Sequence, residues 1–415
     1  MSISRKFQRS KSKYTLSQKI ISAVTAAGFI MQPFTAFAGQ IIKPGGDSLI
    51  KDNVANIWAD RVVDKTAINV FNKFNLSQNE IANMYFGLKD TKHDAANLVN
   101  FVNDRIDING TVNAIQNSQI GGNLFFLSKG GMAVGKSGVI NTGSLYVMTP
   151  TADYIDNMKV VAGTADAATA ANELNAITNI TKDANAWQVI PVNTSGTITV
   201  LGKVNATNEV QMRAAKIGVG KNVSGELKDD EGTVIMEADA ANKEAYIKTG
   251  ITNFADIVNI KNADGTASIT ESGLTGDLQA TQTGNGDIVL SAYVDASNDK
   301  NEIEKLPVIG GTTLGTTAES VENTFTEQEF AASVDIYGEV NATGKADISA
   351  AAINSNADFD ETLNDYKANN NDVAQLATVK ADVNIGGTVK AADDVNIKAE
   401  AVNRYVDNTG GFAKA

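Results

Sequence analysis

Apolar and polar residues alternate over long stretches of this chain. In four places the alternation takes one ungapped nine-residue form, apolar-x-apolar-x-Gly-x-Val-x-Ala. The copies are Ile106, Ile108, Gly110, Val112, Ala114; Ile198, Val200, Gly202, Val204, Ala206; Val334, Ile336, Gly338, Val340, Ala342; and Val383, Ile385, Gly387, Val389, Ala391. In the last three, a second apolar trio begins twelve residues after the start: Val210, Met212, Ala214; Ala346, Ile348, Ala350; Val395, Ile397, Ala399. Side chains of a strand point alternately to opposite faces, so each trio predicts a short strand with one buried side. The intervening glycine suits a corner where the backbone needs either positive φ or a close approach to another chain segment. Polar pairs such as Asn208-Glu209, Thr343-Gly344 and Ala392-Asp393 then predict a turn before the next strand. The unit reads strand, corner, strand, turn, strand.

A period of 2 excludes helical repeats. A unit of roughly twenty residues has too little apolar surface to bury alone and must stack on its neighbours. A closed barrel or sandwich would need tight Asn-Gly or Asp-Gly hairpins at regular spacing, and the chain offers few. The fold class expected is all-β, a right-handed parallel β-helix (a solenoid) with a mixed N-terminal cap and short helical insertions. Roughly ten or more rungs are expected after residue 105, each advancing the axis by about 4.8 Å. Small inward residues such as Ala206, Ala342 and Ala391 would let facing walls approach closely.

Three regions divide the chain. Residues 1–38 carry six basic and no acidic residues (Arg5, Lys6, Arg9, Lys11, Lys13, Lys19), then the apolar run Ile20 to Phe34, then Ala36-Phe37-Ala38 before Gly39. That pattern predicts a signal peptide with an A-x-A cleavage site at Ala36, Ala38 and Gly39. Residues 39–245 read as a cap followed by the first rungs, and 246–415 as continuing rungs. Within the cap, Ser77 followed three residues later by Glu80, with Ile81, Met84 and Tyr85 beyond, predicts a short helix over 77–86. An Ala- and Asn-rich insertion, 153–185, is expected to leave the rod as a helical excursion through Ala167 to Ile177. Further interruptions are expected at 301–330 and 356–376, and the segment after Ala401 shows no amphipathic cap, as in the front part of a longer protein.

Composition narrows the function. The chain is 43% apolar but only 6% aromatic, which suits a long thin core, and it has no cysteine, so disulfides and thiolate chemistry are excluded. Removing the leader takes the formal charge from −13 to −19, an acidic balance that disfavours nucleic acid as a partner. The lone histidine, His93, lies in the polar run 90–94 and reads as a solvated turn. The acidic clusters Asp229-Asp230-Glu231 and Asp393-Asp394 fall at expected turns, so no catalytic pair is assigned and no enzyme activity is expected. Gly284-Asn285-Gly286-Asp287 has the composition of a single calcium-binding nonapeptide but reads as a turn without its successors. No cofactor and no metal site are expected. Only Trp58 and Trp187 offer a large stacking face for a sugar.

One segment carries a resemblance. Residues 120–135, Ile-Gly-Gly-Asn-Leu-Phe-Phe-Leu-Ser-Lys-Gly-Gly-Met-Ala-Val-Gly, followed by Ser137-Gly138-Val139-Ile140-Asn141-Thr142-Gly143-Ser144-Leu145, resemble the secretion-domain core of two-partner-secreted exoproteins. The likeness is strongest to leukotoxin-type filamentous adhesins of the filamentous haemagglutinin superfamily. Phe71-Asn72-Lys73-Phe74-Asn75 and Ile81-Ala82-Asn83-Met84 are similar to that family's N-terminal cap, and the specific match spans about residues 54 to 151. Where many members have an Asn-Pro-Asn-Gly turn, this chain has Ser128-Lys129-Gly130-Gly131.

The resemblance implies a Gram-negative virulence factor exported by the Sec machinery to the periplasm. It would then be threaded unfolded through an outer-membrane two-partner transporter whose POTRA domains read the N-terminal module. On this basis transporter recognition is expected at Asn123, Phe125, Phe126, Lys129, Gly130 and Gly131. The implied role is secretion module and stalk of a secreted or surface-bound adhesin, meeting a host or bacterial receptor that the resemblance does not identify. The alternative is the delivery stalk of a contact-dependent toxin or leukotoxin. A β-helical polysaccharide-degrading enzyme is the third reading.

Overall fold

A computed structural model of the chain describes residues 39–89, 95–179, 190–220, 227–228, 234–236, 245–252, 268–269, 274–275, 284–295, 328–354 and 377–403. The expected signal peptide, His93, Trp187, the 229–231 acidic cluster, residues 301–327 of the interruption expected at 301–330 and the interruption expected at 356–376 lie outside the described residues.

Three long sheets dominate. In spatial order the first contains Gln40–Ile42, Lys73–Leu76, Ile106–Ile108, Met132–Val134, Thr197–Val200, Lys216–Val219, Gln328–Ile336 and Ala377–Ile385. The second contains Val54–Ile57, Ile81–Tyr85, Thr111–Gln116, Val139–Thr142, Lys203–Ala206, Tyr246–Lys248, Glu339–Ala342 and Thr388–Ala391, with Gln119–Ile120 off its path. The third contains Arg61–Val63, Thr66–Phe71, Asn97–Val102, Asn123–Ser128, Ser144–Met148, Val210–Ala214, Ile288–Asp295, Ala346–Asn354 and Val395–Asn403. From Lys73 onward the chain visits first, second and third sheet in that fixed order, and successive visits pair in parallel. Antiparallel pairing within the sheets is confined to Gln40–Ile42 against Lys73–Leu76, Arg61–Val63 against Thr66–Phe71, and Gln119–Ile120 against Thr111–Gln116.

Each repeated frame contributes one strand to the first sheet and one to the second, and in the last three copies the trio that follows contributes one to the third. The third and fourth copies are direct neighbours, with Val334 opposite Val383, Ala342 opposite Ala391 and Ile348 opposite Ile397. Six strands of the first sheet follow residue 105 among the described residues, against the ten or more rungs expected. Several visits escape the strict frame. The passage through Met132, Val134 and Ile140 has a corner two residues longer than that between Ile108 and Val112.

The corner glycines act by close approach. None of Gly110, Gly202, Gly338 and Gly387 has positive φ. A Cβ on Gly110 would lie 2.2 Å from the Glu80 carbonyl oxygen, on Gly338 2.1 Å from that of Ala245, and on Gly387 2.1 Å from that of Gly338. Each corner therefore nests on the corner of the preceding visit, at a separation no side chain permits.

The main core lies between the sheets. Phe74, Met84 and Phe126, one from each, are all fully buried, and the Phe74 ring meets Phe71 and Phe126 edge to face at 5.3 Å. Further along, the core is mostly aliphatic, running through Val200, Val204, Met212, Ile247, Leu290, Ile336 and Ile348, with Phe330 also buried in it.

Two expectations are corrected. Residues 77–86 form no helix: Ile81–Tyr85 is a strand paired on both sides, with Val54–Ile57 and Thr111–Gln116. The local signal was physically real, since the Glu80 carboxylate accepts the Ser77 N–H at 2.7 Å as in a capping box, but strand pairing claims the residues that follow. The second correction concerns the insertion after residue 151, which contains helices α1 (Ala152–Thr164) and α2 (Ala167–Thr178). These do not leave the sheets. Ile155, Met158, Ala170, Leu174 and Ile177 pack on the outer face of the third sheet against Ile68, Val99, Phe101, Phe125, Leu127 and Met148. Asp166 caps α2 by accepting the N–H groups of Ala168 and Thr169, each at 3.0 Å.

Candidate partner-recognition surface

The turn Ser128-Lys129-Gly130-Gly131 carries the chain from the third sheet to the first. Ser128 Oγ donates to the Asp104 carbonyl at 2.6 Å and accepts the Gly130 N–H at 3.2 Å, tying the turn to the corner before it. Gly131 has φ of +85° and its carbonyl accepts the Ile106 N–H. A Cβ there would lie 2.0 Å from the Thr197 carbonyl oxygen, so glycine is required both by conformation and by packing. Lys129 and Gly130 are exposed, and the Lys129 carbonyl accepts from Asn193 Nδ2 at 2.8 Å.

The residues singled out for transporter recognition divide sharply. Phe126 lies fully buried in the main core. Phe125, 1% exposed, points to the opposite face and stacks on Tyr146 with ring centroids 4.2 Å apart and planes at 6°. Neither ring reaches the surface. Asn123 is half-buried and donates to Asn97 Oδ1 at 2.9 Å. The accessible members are therefore Asn123, Lys129 and Gly130, with Gly131 shaping the turn.

Around that turn sits a polar column that sequence reasoning did not assemble. Asn103 Nδ2 donates to Asn72 Oδ1 at 2.9 Å, and Asn103 Oδ1 accepts from Lys159 of α1 at 2.5 Å. Lys159 also pairs with Asp156 at 2.5 Å. That hydrogen bond holds the Asp156 carboxyl below the ordinary aspartate range, with the charge of Lys129 adding to the effect. Helix α1 thus brings a second lysine beside Lys129. The signal that could have found this column is the recurrence of Asn at strand ends, Asn72 and Asn103.

A longer amide ladder runs on the second sheet, on the face opposite the main core. Asn83 donates to Asn56 at 3.0 Å, Asn113 to Asn83 at 3.1 Å, Asn141 to Asn113 at 2.9 Å and Asn205 to Asn141 at 3.1 Å. It stops where Lys248 takes the next register position. Its four last members are at most 1% exposed, so these amides hold strands in register and are unavailable to a ligand.

The remaining candidates have structural roles. Asp287 Oδ1 accepts the Lys345 N–H at 2.8 Å, fastening the 284–287 turn, where Gly286 has φ of +72°, to the turn of the next visit. Asp394 lends its carbonyl to the Ala346 N–H and its carboxylate to Lys345 at 3.6 Å. Trp58 stacks on Tyr85 at 4.9 Å and 7°, with the Lys89 ammonium 5.1 Å from its ring, so much of its stacking surface is already engaged. Among the described residues no cluster of three or more His, Asp or Glu is placed to hold a metal, and no helix is long and apolar enough to cross a membrane. Compared with known proteins, the chain matches no family model and no curated protein.

Proposed function

We propose that this chain is the secretion module and first stalk rungs of an exported filamentous adhesin, read by the POTRA domains of an outer-membrane two-partner transporter. Its three sheets are taken as the walls of one right-handed parallel β-helix. The observation that carries the reading is the fixed cycle through three sheets with parallel register, beginning at an edge closed by antiparallel strands. In such an architecture each visit offers a complete edge that templates the next. A chain emerging N-terminus first from a pore would fold visit by visit, and nothing would need to fold before it leaves. The antiparallel edge strands support the same reading, because a capped start protects the first edge from pairing with other chains.

Recognition is assigned to the exposed third-to-first-sheet corner, Lys129 and Gly130, flanked by Asn103 and Lys159, together with Asn123 at the other end of the strand that leads into it. The leader is assigned as a signal peptide cut after Ala38. The test is secretion of residues 1–415 from a Gram-negative host with and without its cognate transporter. Transporter-dependent release of a β-rich, protease-resistant product is expected, and retention in the periplasm despite the transporter refutes the reading. An Asn123→Ala, Lys129→Ala double variant should fold normally yet be released several-fold less, and normal release would move recognition elsewhere.

A further inference from the structure

Glu80 is 6% exposed, and among the described residues no cationic side chain pairs with it. Its carboxylate is held by two backbone donors: Oε2 accepts the Ser77 N–H at 2.7 Å and Oε1 accepts the N–H of Gly39 at 3.0 Å. Gly39 is itself buried, and its Cα lies against the carboxylate so closely that a Cβ would meet Oε2 at 1.8 Å and the Asn75 carbonyl oxygen at 2.7 Å. Only glycine fits there. The turn that presents Glu80 is rigid, with the Glu80 N–H donating to the Ser77 carbonyl at 3.1 Å and the Glu80 carbonyl accepting the Thr111 N–H at 2.8 Å. A buried carboxylate with no counter-charge is costly, since amide dipoles offset only part of its lost hydration.

Gly39 is also the residue that follows Ala36-Phe37-Ala38. Hydrolysis of the Ala38–Gly39 amide by a signal peptidase consumes one water, leaves a carboxylate on Ala38 and turns the Gly39 nitrogen into an α-ammonium. We propose that this new ammonium is the missing partner of Glu80: leader removal creates a buried Gly39–Glu80 ion pair that locks the cap. The proposal rests on the cleavage reading given above. A neutral donor 3.0 Å from a buried carboxylate oxygen becomes a charged one at the same place, which is the arrangement in which charge-assisted hydrogen bonds are strongest. The strand it anchors, Gln40–Ile42, closes the first sheet by pairing antiparallel with Lys73–Leu76. Processing and closure of the cap are thereby one event. The precursor, still carrying its leader, has the weaker cap and stays easier to keep unfolded for export.

The test expresses the full chain with its leader, recovers the processed protein and determines its N-terminus by intact mass. The rate of α-amine acylation by acetic anhydride is then measured at pH 7, folded and in urea. The folded amine is expected to react at least about tenfold more slowly than in urea, corresponding to about one pKa unit or more. A Glu80→Gln variant, which keeps shape and burial but removes the charge, should recover most of that rate. A product beginning anywhere but Gly39 overturns the cleavage reading and the proposal together. A product beginning at Gly39 whose amine reacts as fast folded as in urea overturns the proposal alone, as does a folded Glu80→Gln protein that stays as slow as the parent. If Glu80→Gln does not accumulate folded, the comparison of folded and urea-treated parent still decides.

Discussion

Gly202→Ala isolates the close approach of corners from every other role of glycine. Gly202 has no positive φ, so alanine meets no backbone penalty there. Its Cβ, however, would lie 2.2 Å from the carbonyl oxygens of both Gly135 and Gly138, where ordinary contact begins near 3.4 Å. One corner must retreat by about 1 Å, and both obstacles are backbone. The Gly138 carbonyl also accepts the Lys203 N–H at 2.9 Å, and the Gly135 carbonyl the Gly138 N–H at 2.8 Å, so retreat strains two hydrogen bonds as well. Overpacking costs about 1–3 kcal/mol and each weakened hydrogen bond about 0.5–1.5, against about 0.4–1 kcal/mol gained from a stiffer unfolded chain. A net loss of about 1–6 kcal/mol, centred near 3, follows. The control is Gly163→Ala in α1, where nothing lies within 4 Å of the new methyl. There the better helix propensity should raise the stability of α1 by about 0.5–1 kcal/mol. Urea unfolding followed by far-UV circular dichroism reads both variants. A Gly202→Ala protein within about 0.5 kcal/mol of the parent would refute nesting of corners as the reason for the glycine.

Phe125→Ala and Phe126→Ala should each cost about 3–5 kcal/mol, but differently: the first should loosen α1 and α2, the second the junction of the three sheets, and hydrogen exchange should separate them. Asn141→Ala strips a partner from both Asn113 and Asn205 in the buried ladder. It should lower stability by about 1–3 kcal/mol, measured by urea midpoint, and a neutral result would remove the ladder from the energetics. Burial, then the charge of Glu209, pushes the Tyr146 hydroxyl well above its ordinary range, and burial with Asp295 does the same for Tyr293. Tyr154 is pushed up to about 12 by burial and Glu173. A raised folded pKa means a contribution fully present below the unfolded value of about 10 and lost as pH rises through the folded value. Absorbance at 295 nm should therefore show these three still protonated at about pH 11 while the fold persists, and complete ionisation of all 9 tyrosines by then would contradict the burial. The Asp166 cap of α2 has a lowered pKa from the Thr169 backbone and hydroxyl donors. Its support is present above the ordinary aspartate range, so acid should fray α2 only as pH falls through the lower folded value, which the α2 amide exchange rates would report.

The alternation of apolar residues marked the strands of the four frames because a period of 2 survives wherever one face is buried and the other wet. It was silent about α1 and α2 as a cover. The trace of their contact lies in the continuous runs Leu124-Phe125-Phe126-Leu127 and Leu145-Tyr146-Val147-Met148, whose loss of alternation means that both faces are buried. The Ser77–Glu80 signal misled for a related reason. A capping box is a local hydrogen-bond pattern, and it formed, but two neighbouring strands outbid the helix for residues 81–85. The recognition assignment followed the resemblance along one strand and its turn, and alternation then sent Phe126 into the main core and Phe125 under the helices.

By itself the chain determined its strand period, the position of its corners and its division into repeats, since each is written in residues close in sequence. Whether a corner glycine serves φ or contact, which polar residues line up as ladders and where Gly39 meets Glu80 were decided only when segments roughly thirty or more residues apart came together. Those choices depend on distances between neighbouring visits, and the spacing between stacked strands is a property of the assembled sheet rather than of any local run.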